Sequence, residues 1–393
     1  MKQEWLLIVM LFEIILEVFM EELFIGFVNL GYKQIIMFLI GGILIYLAIK
    51  KDYEPMLLLP IGFGTILVNI PLSSVLQYEG APGVLQILFD AGIKTELFPV
   101  LIFIGIGAMI DFTPLFVNPS MLFFGAAAQF GIFATIILVV VLGIDDLKIA
   151  SAIGIIGAAD GPTAIFVASK FAEKFLGPIT VAAYSYMALV PMVQPPVIKA
   201  LTTKKERLIR MDYKDVKISK TVKVLFPIFI TIIAGIMAPI SVPLVGLLMF
   251  GNLIRESGVL ERLSKAAQNE LSNIVTILLG VTIGATMTAE AFLQSTTLLI
   301  LLAGLAAFVF DTAGGVLFVK LLNVFRKNKI NPMVGAAGIS AFPMSSRVIQ
   351  KMATKEDPTN FILMQAVSAN VAGQLGSIIA GGLILALVPL LLG

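Results

Sequence analysis

One acid stands out in this 393-residue chain. Asp160 lies in SAIGIIGAADGPTAIFVAS, a stretch with no other charge. An unpaired carboxylate in hydrocarbon costs roughly 3 kcal/mol or more on insertion scales. Beside it, Gly157, Gly161 and Pro162 interrupt helical hydrogen bonding. A broken helix frees backbone carbonyls. With the carboxylate and the Thr163 hydroxyl, those carbonyls make a ligand set for a hard monovalent cation. One reading is a sodium-type site at the membrane midplane. The other is a carboxylate that faces water and caps the helix starting at Pro162. The two are compatible.

A second broken stretch, NPMVGAAGISAFPMSSR, brings the Asn331 amide oxygen, the Ser340 hydroxyl and carbonyls freed at Gly335 and Gly338. It has no acid where the first has Asp160, so one negative charge would face one sodium ion. Small-residue helix packing is the rival reading for Gly335 and Ser340. Asn370, in SANVAGQLGS, is either an ion ligand or an interhelical hydrogen bond, because a buried amide needs partners. Tyr184 and Tyr186 are candidate proton carriers, although membrane tyrosines often only anchor at the interface. Asp111, Glu290 and Asp311 also sit in apolar surroundings and read either as buried acids or as ends of helices. Arg347, near Lys351 and Lys355, suits a carboxylate-bearing substrate. It serves equally as a positive-inside anchor.

Composition narrows the chemistry. There is no cysteine and no histidine, so disulfides, thiol nucleophiles and thiolate ligands are excluded. Proton handling near neutral pH falls to carboxylates, tyrosines, lysines or water. A net charge of +2 gives no steering toward nucleic acid. Neither a GxxxxGK phosphate loop nor a Met-Lys-Met biotin-attachment sequence occurs. Energy from ATP, or a tethered carrier, would come from other subunits.

The elements that must position these residues are membrane helices. The chain is 59% hydrophobic and 13% charged, with mean hydropathy +1.02. Continuous runs such as Met121–Gly143 exceed the roughly 20 helical residues that cross a bilayer. They also lack the alternation of a barrel strand. The predicted class is an all-α polytopic membrane protein of about ten transmembrane segments, with broken helices or re-entrant loops. Residues 1–33 are expected to form an amphipathic interfacial helix, with Glu13, Glu17 and Glu21 on one face. Residues 34–200 form a first transmembrane repeat, 201–222 a basic cytoplasmic linker and 223–393 a second repeat. The repeats rest on paired landmarks. Gly107 and Gly284 lie 177 residues apart, Asp160 and Gly338 lie 178 apart, and Asn69 and Asn252 lie 183 apart. Chance similarity among Gly/Ala-rich helices is the alternative. Repeats of opposite orientation are the plan of many secondary transporters.

Several runs together resemble the beta subunit of the sodium-transporting carboxylic acid decarboxylases. They are PIGFGTILVNIP, ELFPVLIFIGIGAMIDF, GIIGAADGPTAIF, MVQPPVIKALTTKKER, FGNLIRESGV, NPMVGAAGISAFPMSSRV and SANVAGQLGS. The likeness covers most of the chain after about residue 40. It implies a subunit that decarboxylates carboxybiotin on a partner carrier, consumes a proton and drives sodium outward across a bacterial inner (plasma) membrane. The implied partners are a biotin carrier subunit, a carboxyltransferase alpha subunit and a small single-span gamma or delta subunit, in an oligomer. The implied sodium and proton positions are Asp160, Tyr186, Asn331, Gly335, Ser340 and Asn370, with Arg347 associated with carboxybiotin. A sodium-coupled secondary transporter of an organic anion fits the repeats, broken helices and buried acid equally well. The acid decarboxylated is not legible here, because in this family another subunit binds it.

Overall fold

The computed structural model describes residues 24–51, 53–212 and 216–392. The glutamate face expected of the N-terminal helix lies outside the described residues. Among them, strand is confined to a hairpin of Gln77–Tyr78 with Ala81–Pro82. The helices used below are α1 (Tyr32–Lys51), α2 (Pro55–Asn69), α3 (Leu97–Met109), α4 (Leu122–Ala128), α5 (Phe130–Val141), α6 (Leu147–Gly154), α7 (Gly161–Phe171), α8 (Leu176–Ala188) and α9 (Val190–Leu201). After the linker come α10 (Lys220–Met237), α11 (Val242–Ser257), α12 (Ser272–Ala285), α13 (Ser295–Phe325), α14 (Met333–Ala336), α15 (Met344–Glu356) and α16 (Leu363–Leu392).

Five of these helical stretches are long and apolar enough to cross a membrane: Tyr32–Lys51, Pro119–Val141, Pro239–Ser257, Ser295–Phe325 and Leu363–Leu392. A sixth candidate is the pair Glu173–Ala188 and Val190–Leu201, bent by 69°. The other apolar runs counted from sequence appear as shorter helices, such as Pro55–Asn69, Leu97–Met109 and Leu147–Ala158. Only about half of each long span is buried in α13 and α16. The outward side chains are apolar too, including Leu39, Phe123, Val141, Leu302 and Leu390. An aqueous surface would not carry such a belt, whereas lipid solvates it.

The helices approach through small residues, as expected where burial against lipid supplies no hydrophobic drive. Gly64 of α2 faces Gly284 of α12, and a Cβ on either would overlap the other backbone. Gly107 of α3 lies against the Leu248 carbonyl of α11 in the same manner. Two asparagines lock these pairs. Asn69, ending α2, donates to the Met287 carbonyl and accepts from the Ala289 amide, both at 2.8 Å, where α12 has ended. Asn252, on α11, donates to the carbonyls of Gly107 (3.3 Å) and Ile110 (2.9 Å), where α3 ends. Each half thus supplies an amide that satisfies the open helix end of the other.

The basic linker is docked rather than free. Thr203 and Glu206 form a capping box over Lys204–Arg207. Arg207 pairs with Glu356 at 2.7 Å, and Arg210 with Asp357 at 2.7 Å. The Arg207 hydrogen bond holds Glu356 below its ordinary range. The amide and hydroxyl of Thr359, then Arg210, pull Asp357 from 3.8 down to about 2. A depressed folded-state value gives stability that is full above the ordinary value and is lost as pH falls through the folded one. Linker docking is therefore expected to persist above about pH 4 and to loosen between there and about pH 2. Pepsin cleavage within residues 201–222 should rise over that window. A flat cleavage rate would rule the docking contribution out.

Candidate functional site

Asp146 starts the first broken element by accepting from the amides of Lys148 (2.9 Å) and Ile149 (3.3 Å), so α6 begins cleanly. The helix then tightens into a 3-10 turn at Ile155–Ala158. Ala159 takes a left-handed conformation, φ 52°, which costs a non-glycine residue roughly 1–2 kcal/mol. Helical bonding stops there and α7 starts at Gly161, with Pro162 at a position that needs no amide. Asp160 is left in the gap, 3% exposed. Its carboxylate makes no capping bond to α7. Instead Oδ2 accepts from the Thr163 hydroxyl (2.6 Å), the Ser377 hydroxyl (2.9 Å) and the Gln374 amide (3.2 Å). Among the described residues no basic side chain pairs with it.

The second broken element meets the first tip to tip. The Ser340 amide donates to the Ala158 carbonyl at 3.2 Å. The Ser340 hydroxyl donates to the Gly373 carbonyl at 2.8 Å, and Asn370 Nδ2 donates to the Ile339 carbonyl at 2.6 Å. Gly373 of α16 lies so close to the Gly338 carbonyl that no Cβ fits between them. Gln129, at the break between α4 and α5, donates to the Gly125 carbonyl at 3.0 Å and lies at 3.5 Å from the carbonyls of Gly338 and Gly373. At this junction two buried amide oxygens, Asn370 Oδ1 and Gln129 Oε1, have no partner among the described residues. Where the two broken elements meet, the Asp160 carboxylate, several carbonyls and two amide oxygens come together, and the side-chain donors on Asp160 are neutral. That is the chemistry of a monovalent cation site.

The sequence-derived candidates separate into three groups. Asp160, Ser340 and Asn370 converge as described. Asn331 and Gly335 do not join them here. Asn331 Nδ2 donates to the linker carbonyls of Arg207 and Ile209, each at 2.9 Å, and its Oδ1 accepts from Met333 N at 3.1 Å. Gly335 of α14 packs on Gly315 of α13. Arg347 stands exposed in the first turn of α15, and its guanidinium has no bond among the described residues.

Tyr186 lies away from the loop. Its hydroxyl donates to the Leu301 carbonyl on α13, and its ring lies on Gly304. Tyr184 is the buried phenol against Gly161, next to Asp160. Residues two apart on a helix point to different faces, so only one of the pair reaches the loop.

Gln374, Ser377 and Gln129 were missed. The first two had a signal: they follow Asn370 by four and seven residues, one face of α16. Gln129 had only its isolation in an apolar run.

The comparisons with known proteins agree with this architecture. The family model described as "Na+-transporting oxaloacetate decarboxylase beta subunit" matches residues 33–388. The methylmalonyl-CoA decarboxylase subunit beta of Propionigenium modestum is 49% identical, covering 92% of this chain and 96% of its own. The glutaconyl-CoA decarboxylase subunit beta of Acidaminococcus fermentans is 51% identical, covering 92% and 95%. The oxaloacetate decarboxylase beta chain 2 of Salmonella typhi is 46% identical, covering 92% and 96%. Matched along nearly its whole length, this all-α chain of the bacterial inner membrane belongs to the family of sodium-transporting decarboxylase beta subunits.

Proposed function

We propose that this subunit decarboxylates carboxybiotin presented by a partner biotin carrier and couples the reaction to outward sodium transport. The observation that carries the reading is Asp160: a buried carboxylate at the meeting point of two broken helices, bonded only to neutral donors. Decarboxylation of carboxybiotin takes up one proton and yields biotin and carbon dioxide. A site at which a cation and a proton compete for one carboxylate links that consumption to ion movement. Asp160 binds sodium, with Asn370 Oδ1, Gln129 Oε1 and Ser340 as further acceptors at the junction of the two loops. Asn331 and Gly335 enter this ligand set when the second loop moves relative to α13 and the linker.

A basic face supports the substrate assignment. A cavity of about 190 Å³ between α9 and α15 is lined by Pro191, Pro195, Lys199, Val348, Lys351, Met352, Lys355 and Glu356. Three ammonium groups against one carboxylate favour an anion there. The relatives are named for three different acids yet are 46–51% identical to this chain. Such uniformity fits a subunit that sees the common carboxylated carrier, with a carboxyltransferase alpha subunit choosing the acid and a small gamma or delta subunit completing the membrane assembly. The reciprocal asparagine locks support reading 34–200 and 223–393 as two repeats of opposite orientation joined by the linker 201–222.

The test is reconstitution of the purified complex in lipid vesicles. Labelled sodium should accumulate during decarboxylation without ATP, and avidin should block it. Sodium uptake by the isolated chain on an organic-anion gradient would instead make it a secondary transporter. The two tyrosines give a finer check. Because Tyr184 is the phenol at the loop, Tyr184→Phe should raise half-saturating sodium about tenfold, a loss of about 1.4 kcal/mol, and Tyr186→Phe by less. The reverse order would place Tyr186 at the ion.

A further inference from the structure

Asp311 is a second acid inside the membrane. It sits in the middle of the 31-residue α13, not at a helix end, and is 1% exposed. Both carboxyl oxygens are without a hydrogen bond. Its Oδ1 lies against Gly131 of α5, where any Cβ would overlap it, and its Oδ2 would be 2.7 Å from a Cβ on Gly157. Gly157 belongs to the turn that ends at Asp160. Gly131 stands at the start of α5, and the next amide, that of Ile132, donates to the Gln129 carbonyl at 3.2 Å.

Among the described residues no other ionisable group pairs with this acid. Of the elements packed on α13, the turn before Asp160 and helices α4, α5 and α14 carry none. α8 brings Tyr184, which faces Gly161, and Tyr186, which bonds Leu301. Lys199 of α9 and Lys148 of α6 stand at the outer ends of their helices. On α13 itself, Lys320 bonds the Leu201 carbonyl and pairs with Glu206.

Gln129 supplies the contrast. It stands 182 residues earlier, close to the repeat spacing, and bridges the other broken loop at Gly338 with a neutral amide. A merely structural bridge is thus made by an amide. What the acid adds is a charge that can be switched. The groups turned toward it are N–H donors and glycine backbone, which suit an ionised carboxylate or a carboxylic acid but offer a metal ion no oxygen.

We propose that Asp311 is a proton-binding site of the pump, separate from Asp160, that acts on the Asp160 loop through Gly157. In the ionised form the carboxylate draws in the backbone amide of Gly131, which lies against Oδ1. On taking a proton from hydronium, which leaves as water, it becomes a neutral acid and releases that amide. Oδ2 lies at the turn, so the two forms hold Gly157, and with it Asp160, differently. The inference extends the sodium–proton reading above, but its first test is independent of turnover.

That test is infrared difference spectroscopy of the intact complex in lipid vesicles, sodium-loaded minus sodium-free. A protonated-carboxyl C=O band that shifts in heavy water is expected. Asp311→Asn should remove it, and Asp160→Asn should retain the same band in an acid-minus-alkaline difference spectrum of the sodium-free complex. The band can appear even if Asp160 plays no part in transport, and can be missing even if it does. The second readout is half-saturating sodium against pH. Asp311→Asn should flatten that dependence by up to about tenfold per pH unit, the weight of one linked proton. Gly157→Ala changes no ionisable group, yet should shift the band by pressing on Oδ2. An Asp311→Asn complex with the full band and an unaltered slope overturns the proposal. If that variant does not assemble, an unshifted band in Gly157→Ala overturns it.

Discussion

Asp160→Asn is expected to abolish sodium-dependent decarboxylation while the protein still assembles. The substitution keeps size and leaves an amide oxygen for Thr163 and Ser377, which now donate at 2.6 and 2.9 Å. It removes the negative charge. At a separation of about 4 Å and an effective dielectric of about 20, that charge is worth about 4 kcal/mol to a bound cation. The corresponding loss of sodium affinity is roughly a thousandfold. Surrounding dipoles soften the figure without cancelling it, because the neighbouring groups are neutral and fixed. The measurement is the initial rate of decarboxylation by the reconstituted complex across a sodium titration. Half-saturating sodium within twofold of the parent protein would sink the assignment of Asp160. The hydrogen bonds argue against a purely structural role for the charge, since three neutral donors could satisfy an amide oxygen nearly as well.

Gly373→Ala is expected to have the next largest effect, by a different route. The new methyl would fall on the Gly338 carbonyl, and both partners are backbone. Backbone cannot rotate away, so α16 and the second loop must separate. Overpacking of this kind costs about 1–3 kcal/mol. Here it also pulls Ser340 off the Gly373 carbonyl and Asn370 off the Ile339 carbonyl. Sodium affinity should fall roughly 10- to 100-fold, with a lower melting temperature of the complex. Gly42→Ala on α1 is the control, because a Cβ there meets nothing within 4 Å and should leave both unchanged. Equal effects from the two variants would mean that the contact at Gly373 does not hold the site.

The sequence by itself determined the solvent of this protein and the weak points of its helices. Long apolar runs specify lipid, and Gly157, Gly161, Pro162, Gly335 and Gly338 specify where helical bonding fails, because both properties depend on local composition. Asp160, Ser340 and Asn370 were legible for the same reason: each is a polar group where polarity is costly. The tertiary structure decided which groups face one another. Asn331 is as polar as Asn370, yet it holds the linker, and no local feature separates the two. Tyr184 and Tyr186 differ only in the helix face they occupy, which the packing of α8 against the loop and α13 selects. Asp311 could have ended a helix, and instead lies mid-span because α13 runs unbroken through it. In water an amphipathic stripe would have marked the inward faces. In lipid both faces are apolar, contacts form through small residues, and hydrophobic periodicity carries little record of them. Only the assembled helices bring Gln374 and Ser377 to Asp160, and set Asp311 against the turn that holds it.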